Sequence, residues 1–450
     1  MGNLYNKELR FSNKYLIKLI LPLLGEQFFS ILVGIVDSIM VASCGEAAIS
    51  GVSLIDSIYG LFFFLITAFA TGGAVVTSQY LGRKDFKNAK GAAKQLIYVS
   101  VLFGILMAVI FIPIQKGLMT LIFGHLDQSV LNQSLIYFDY VFLSLPFLCL
   151  FSSGSALFRS IGNSKISLQV SILMNILNVT LNAILIYGMN LGVQGAGVAT
   201  LVSRIVSGVL IIYFLTKKKS KIRIDKIFRI KFNWYLMKKI FAISLPNAVE
   251  NSVFQFGKIA VQSMVASLGV ASIAANVVVG NLCTFANLPG VAISLASTTI
   301  IGQCLGAREK EQAKHYTKLL IIISVASISL FAFFLILVRN SIISLYNLST
   351  EASAIASSVS FIVLIMTALL WTFAFATPNI LRSAGDVKYT LVCSLISLIV
   401  FRISGAYILT QVLSFGLLGI WLAMIVDWIC RSSCYLLRLK GDVWLSKKVI

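Results

Sequence analysis

Apolar residues gather into long unbroken runs, and the polar positions fall mostly in the short gaps between them. Runs lie near 16–42, 50–77, 93–115, 132–157, 167–189, 193–215, 238–266, 273–301, 317–338, 352–378, 389–411 and 414–437. Each is long enough to cross about 30 Å of hydrocarbon as a helix of about 20 residues. The pattern predicts an all-α integral membrane protein of twelve transmembrane helices. Pro22, Pro246 and Pro378 lie inside runs, where a missing backbone bond lets a helix bend.

The gaps alternate in charge. With residue 1 on the cytoplasmic side, nearly all of the 37 Lys and Arg fall in inside segments, while the outside loops hold only Lys116 and Arg339. By the positive-inside rule this places both termini in the cytoplasm, in a multi-pass protein of a prokaryotic cytoplasmic (inner) membrane. The N-terminal MGNLYNKELRFSNKY lacks a short apolar core with a small-residue cleavage site, so no signal peptide is expected. The net charge of +21 raises nucleic acid as a partner, but no polar segment is long enough to carry a folded basic face. The basic loop KKKSKIRIDKIFRIKFNWYLMKK is read as an orientation signal touching anionic lipid. Composition agrees: 58% of residues are hydrophobic, only 12% are charged, and mean hydropathy is +0.93, far from the roughly 25% charged of a soluble domain. Seven cysteines stand singly in apolar runs with no C-x-x-C and read as small packing residues.

The chain also matches itself. Shifted by 224 positions, Pro22 meets Pro246, Glu26 meets Glu250, Met40-Val41-Ala42-Ser43 meets Met264-Val265-Ala266-Ser267, and Gly45 meets Gly269. Leu81-Gly82 meets Leu305-Gly306, and one residue of slippage continues the match from Arg159-Ser160 and Gly162 to Arg382-Ser383 and Gly385. Six spans separate equivalent positions, and an even number preserves direction. The halves are therefore expected to be parallel repeats, two pseudosymmetric six-helix lobes around a central cleft: residues 1–215, a cytoplasmic basic linker 216–239, and residues 240–450. Two such lobes supply their own interface, so a monomer is expected.

A lone carboxylate in a spanning helix costs a few kcal/mol unless it is compensated. In span one, Glu26, Ser30, Gly34 and Asp37 share one helical face, and Gly34 is expected to let a neighbouring helix pack closely. Span five carries Asn175, Asn178 and Asn182 at spacings of three and four, again one face. In span seven Glu250 repeats Glu26; Lys258, two turns on, is a candidate ion-pair partner. Asp427 and Arg431 form an i, i+4 pair in span twelve, with Arg402 in span eleven, and read as an internal ion-pair network. Asp56 and Asp139 read as solvated ends of their spans. His125 and His315 lack ligand-spaced neighbours, so no metal is expected, and the aromatics read mostly as packing. No H-E-x-x-H, Walker motif or nucleophile–base pair is present, so an enzyme is not expected.

LPLLGEQFFSILVGIVDSIMVASCGEAAISGVS, ATGGAVVTSQYLGRKD, SLPNAVENSVFQFGKIAVQSMVASLG and ANLPGVAISLASTTIIGQCLGAREK, with the exit motif L-G-x-[KR]-[DE] at 81–85 and its copy at 305–309, resemble the multidrug and toxic compound extrusion (MATE) transporters over nearly the whole chain. The resemblance implies a secondary active antiporter that exports small amphipathic, drug-like cations by alternating access in exchange for Na⁺ or H⁺, with no other cofactor. It also implies a cation-coupling cluster at Asp37, Asn178, Asn182 and Thr200, and an acidic cleft role for Glu26 and Glu250 as substrate candidates. Asn182 departs from relatives that carry a second aspartate there; one carboxylate with amide and hydroxyl oxygens still suits Na⁺, and a desolvated Asp37 suits a proton. The bland alternative is a hydrogen-bond network that only holds helices together. The alternative function is a lipid-linked oligosaccharide flippase of the same superfamily, but cavity arginines, usual in flippases, are not evident in the sequence.

Overall fold

The computed structural model describes residues 9–124, 126–217, 222–225, 229–447 and 449–450. His125, the first eight residues and part of the basic loop lie outside them. Among the described residues the chain is helical and without strands. The first repeat holds α1 (Asn13–Ala42), α2 (Glu46–Gly82), α3 (Phe86–Phe123), α4 (Gln128–Leu143), α5 (Leu145–Ser160), α6 (Ser164–Asn182) and α7 (Gly192–Thr216). The second holds α8 (Trp234–Ala266), α9 (Val270–Gly306), α10 (Lys310–Ser344), α11 (Thr350–Trp371), α12 (Thr377–Ser383), α13 (Val387–Ser397), α14 (Ser404–Tyr407) and α15 (Gly416–Lys440).

Among the described residues ten helical segments are long and apolar enough to span a bilayer, and α4 with α5 forms an eleventh that bends by 46°. The run expected as one helix over 132–157 is thus broken at Ser144, two residues before Pro146. Proline lacks the amide hydrogen and its ring crowds the preceding turn. Helix α8, at 33 residues, has the length for a twelfth and carries Lys238, Lys239, Glu250 and Lys258. Helices α1, α3, α8 and α9 run through Pro22, Pro113, Pro246 and Pro289 without a break.

The chain divides into two compact units, Asn13–Ser244 and Leu245–Ile450, the second including residues 9–12. In the first, Phe62, Phe111, Phe138 and Phe142 form an aromatic core under α2, α3 and α4, with Phe138 stacked on Phe142 at 3.8 Å. In the second, α9, α11 and α15 bury Val278, Val363, Trp421 and Trp428. Phe11 docks on this unit: its amide donates to Tyr316 Oη, and that hydroxyl donates back to the Phe11 carbonyl, both at 2.8 Å.

The duplication is visible in the backbone. Gly45 and Gly269 turn with φ of +106° and +95°, and Gly162 and Gly385 with +85° and +89°. These left-handed values are cheap for glycine alone. The exit motif repeats a costlier device. Lys84 and Arg308 have φ of +63° and +62°, and in each copy a Schellman pair closes the helix: Asp85 N to Tyr80 O and Lys84 N to Leu81 O, then Glu309 N to Cys304 O and Arg308 N to Leu305 O, at 2.9 and 3.0 Å in both.

Candidate functional site

Helix α6 brings its asparagines to α1. The Asn182 amide nitrogen donates to Asp37 Oδ1 at 2.9 Å. The network orients the Asn178 amide with its nitrogen on the same carboxylate, at 2.9 and 3.0 Å from Oδ1 and Oδ2, which leaves its oxygen toward Thr200 Oγ1, 3.5 Å away. Asp37, Asn178, Asn182 and Thr200 therefore meet at one point. Asn178 and Asn182 are buried, and Asn182 Oδ1 has no hydrogen-bond partner. A buried acceptor without a partner is uncommon, and an oxygen of this kind beside a carboxylate suits a hard cation. Directly after Asn182 the helix widens into a π-helical stretch, Ala183–Gly188, a distortion frequent at functional sites.

The cluster opens on a cavity of about 510 Å³ within the first unit. Ser30, Gly34 and Asp37 line it along α1. Gly34 makes room for this cavity and not for a packed helix, since a side-chain carbon there would meet nothing within 4 Å. Two further charges lie on the wall: Asp56 from α2 and Arg204 from α7. The Arg204 guanidinium donates to Ser144 Oγ at 2.7 Å and sits 4.7 Å over the Tyr59 ring. With Asp37 and Asp56 against Arg204, the wall carries two negative charges and one positive. Asp56 was expected to be a solvated span end, and no cavity arginine was expected; both are wall groups. Arg204 stands one turn after Thr200, so the face that carries Thr200 was the signal for it.

Glu26 does not line this cavity. It is buried, 3.7 Å from Arg159, and accepts from Ser167 Oγ at 3.0 Å. Its repeat mate Glu250 is buried likewise, 2.6 Å from Arg382 and accepting from Ser394 Oγ at 2.5 Å. Both acidic residues expected to line a cleft are thus held in ion pairs, and the arginines are themselves repeat mates. Lys258 places its ammonium 5.6 Å from the Phe254 ring, while the ion pair of Glu250 is made by Arg382.

The second unit buries a different cluster. Asp427 is 0% exposed and accepts from Arg431 Nε at 2.8 Å and from Ser397 Oγ at 2.5 Å; Arg402 Nη1 lies 3.7 Å from its other oxygen. Arg402 belongs to another π-helical stretch, Leu398–Ile403. No group of three or more His, Cys, Asp or Glu side chains suited to a metal ion occurs among the described residues.

Known proteins share this architecture. A family model described as MatE matches residues 22–184 and 246–408, two segments offset by the same 224 positions as the internal repeat. The chain is 24% identical to a protein described as "Probable multidrug resistance protein NorM" of Thermotoga maritima, over 97% of this chain and 94% of that one. It is 25% identical to "Multidrug export protein MepA" of Staphylococcus haemolyticus, over 91% and 89%. Among solved structures, "Crystal structure of MATE in the bent conformation" superimposes with a TM-score of 0.87 at 20% identity, over 95% of each chain.

Proposed function

The chain belongs to the MatE family, and from that premise we propose that it is a cation-coupled exporter of amphipathic, positively charged organic compounds. The relatives described as multidrug resistance and export proteins support the substrate class. The observation that carries the coupling is the Asp37 carboxylate held by two side-chain amides, with the buried Asn182 Oδ1 left unpartnered beside it. Asp37 supplies the charge, Asn178 and Asn182 fix its orientation, and Thr200 with the free amide oxygens completes an oxygen set for Na⁺. A proton is the other ion this carboxylate would take. Either ion and the organic cation compete for protein states, because each stabilises the state that binds it. The inward ion gradient then drives alternating access.

The wall charges favour cations over phosphates. A lipid-linked oligosaccharide carries a diphosphate, for which arginine is the usual partner; here Asp37 and Asp56 outnumber Arg204. The basic gaps between spans support an orientation with both termini in the cytoplasm of a bacterial inner membrane, and nothing in the mechanism requires more than a monomer.

The test is efflux of a fluorescent organic cation from proteoliposomes under an imposed Na⁺ gradient and, separately, an imposed pH gradient, for wild type and Asp37→Asn. Efflux driven by one gradient and abolished by the substitution is the expected result and names the ion. Efflux that persists in Asp37→Asn would reduce the cluster to a structural hydrogen-bond network.

A further inference from the structure

A separate cavity of about 470 Å³ lies within Asn13–Ser244, lined by Ile112 of α3, by Ile136, Asp139, Tyr140 and Leu143 of α4, and by Gln194 of α7. It shares no residue with the cavity of Asp37. All three helices meet it near the same end of their apolar runs. Ile112 lies three residues before the end of the run 93–115, Gln194 one residue into 193–215, and Asp139 seven into 132–157. At about 1.5 Å per residue, the site reaches from the membrane surface to a depth of about 10 Å.

Its wall is amphipathic. Ile136 and Leu143 are 38% and 51% exposed, so the apolar side is open from outside the helix bundle. Asp139 is exposed as well, and a carboxylate on a spanning helix at this depth is costly unless compensated. Gln115 Nε2 donates to its Oδ1 at 2.8 Å, while Oδ2 has no partner among the described residues. Beside it, Tyr140 Oη accepts from Gln194 Nε2 at 3.2 Å, which leaves the hydroxyl its own proton to donate. Gly197 on α7 seats the Tyr140 ring, since a side-chain carbon there would come within 2.6 Å of it. The cavity therefore offers an anionic acceptor, neutral donors and an apolar floor together.

We propose that this cavity binds a phospholipid whose head carries a primary ammonium, a phosphatidylethanolamine. The ammonium donates to Asp139, the phosphate accepts from Tyr140 and Gln194, and the acyl chains lie along Ile112, Ile136 and Leu143. The pattern of charge and donors selects this occupant. A simple organic cation would use Asp139 and leave both donors unused. A quaternary ammonium head has no N–H to give the carboxylate, and a head of net negative charge would meet Asp139 with like charge. The inference does not depend on the cation-coupled reading above, because the two sites share no residue and its readout is binding, not transport.

The experiment is thermal unfolding of the purified full-length protein in a neutral detergent, for wild type, Asp139→Asn and Tyr140→Phe. Each is titrated separately with palmitoyl-oleoyl phosphatidylethanolamine, with the matching phosphatidylcholine and phosphatidylglycerol, and with dodecylammonium. A ligand that binds only the folded state raises the unfolding temperature along a saturable curve. The expected result is saturation at a lower concentration of phosphatidylethanolamine than of the other three. Its apparent affinity should weaken about ten- to hundredfold in Asp139→Asn, the loss of one charged hydrogen-bond partner, and by less in Tyr140→Phe. Curves that coincide for phosphatidylethanolamine and phosphatidylcholine overturn the proposal, as does a phosphatidylethanolamine curve unchanged in Asp139→Asn. Tighter saturation with dodecylammonium also overturns it and assigns the cavity to an organic cation. Asp139 is exposed and phenylalanine keeps the ring of Tyr140, so both variants retain the packing around the site.

Discussion

In Asn13–Ser244 the polar interior is a cavity whose wall carries Asp37, Asp56 and Arg204; in Leu245–Ile450 it is a buried cluster of Arg402 and Arg431 around Asp427. The two units descend from one duplicated sequence, yet the shift of 224 that superimposes Gly45 on Gly269 pairs charged residues with uncharged ones. Asp37 faces Val261, Asp56 faces Gly280, Arg204 faces Trp428, Lys258 faces Gly34, Asp427 faces Ser203 and Arg431 faces Ser207. What the copies share is closer to the scaffold: the Glu26–Arg159 and Glu250–Arg382 pairs and the left-handed helix exits. Duplication preserved the frame, and the interior chemistry diverged within it.

The largest expected difference follows from burial. Asp427→Ala leaves two buried arginines without their carboxylate and should cost about 3–5 kcal/mol, as breaking a buried pair does. Asp56→Asn, on a cavity wall, should change stability by less than about 1 kcal/mol. Thermal unfolding of the two variants side by side measures both. Equal losses would mean that the cavity wall is as closed to water as the second cluster, and the contrast would fail.

The shared ion pairs give a smaller effect. Glu250→Gln removes the charge of a 2.6 Å ion pair and leaves a neutral amide oxygen as the acceptor of a 2.5 Å hydrogen bond, and should cost about 2–3 kcal/mol. In Glu26→Gln the corresponding contacts are 3.7 and 3.0 Å, and about 1 kcal/mol is expected. Denaturant unfolding that ranks the two in the opposite order would show that the shorter pair is offset by its desolvation.

How far the sequence discloses this depends on how local each feature is. The spans, the repeat and the polar faces of α1 and α6 are written in periodicity, and Asp37, Asn178 and Asn182 could be set beside one another because each lies on a stripe. Asp56 could not, since nothing in α2 says that it turns that position toward the same cavity, whereas Arg204 is signalled only by its place one turn after Thr200 on α7. The ion pairs of Glu26 and Glu250 were missed for a related reason. Arg159 and Arg382 were visible as repeat mates, but they sit at helix ends that read as cytoplasmic loop, and only the packing of α5 and α12 carries them inward. The bend at Ser144 was hidden by hydropathy, which is blind to a proline two residues beyond.

The smallest effect tests the frame itself, at the two copies of the exit motif. Asp85 caps α3: its Oδ1 accepts from the Asn88 amide at 3.1 Å and its Oδ2 from Asn88 Nδ2 at 2.7 Å. Glu309, one methylene longer at the equivalent turn, accepts no cap bond and pairs instead with Arg10 at 3.2 Å. Asp85→Ala should therefore cost about 1 kcal/mol, the usual value of an N-cap, and Glu309→Ala about 0.5 kcal/mol, that of a surface pair. The Asn88 backbone amide, with its side chain second, holds the Asp85 carboxyl below its ordinary range. A carboxyl whose folded value is depressed contributes stability that is fully present above its unfolded value, about 3.9, and is lost as pH falls through the folded one. The gap between wild type and Asp85→Ala should be constant near neutrality and narrow below about pH 4. Unfolding curves at both pH values decide it. A gap that stays constant to low pH would assign the cap's contribution to the neutral side chain and not to its charge.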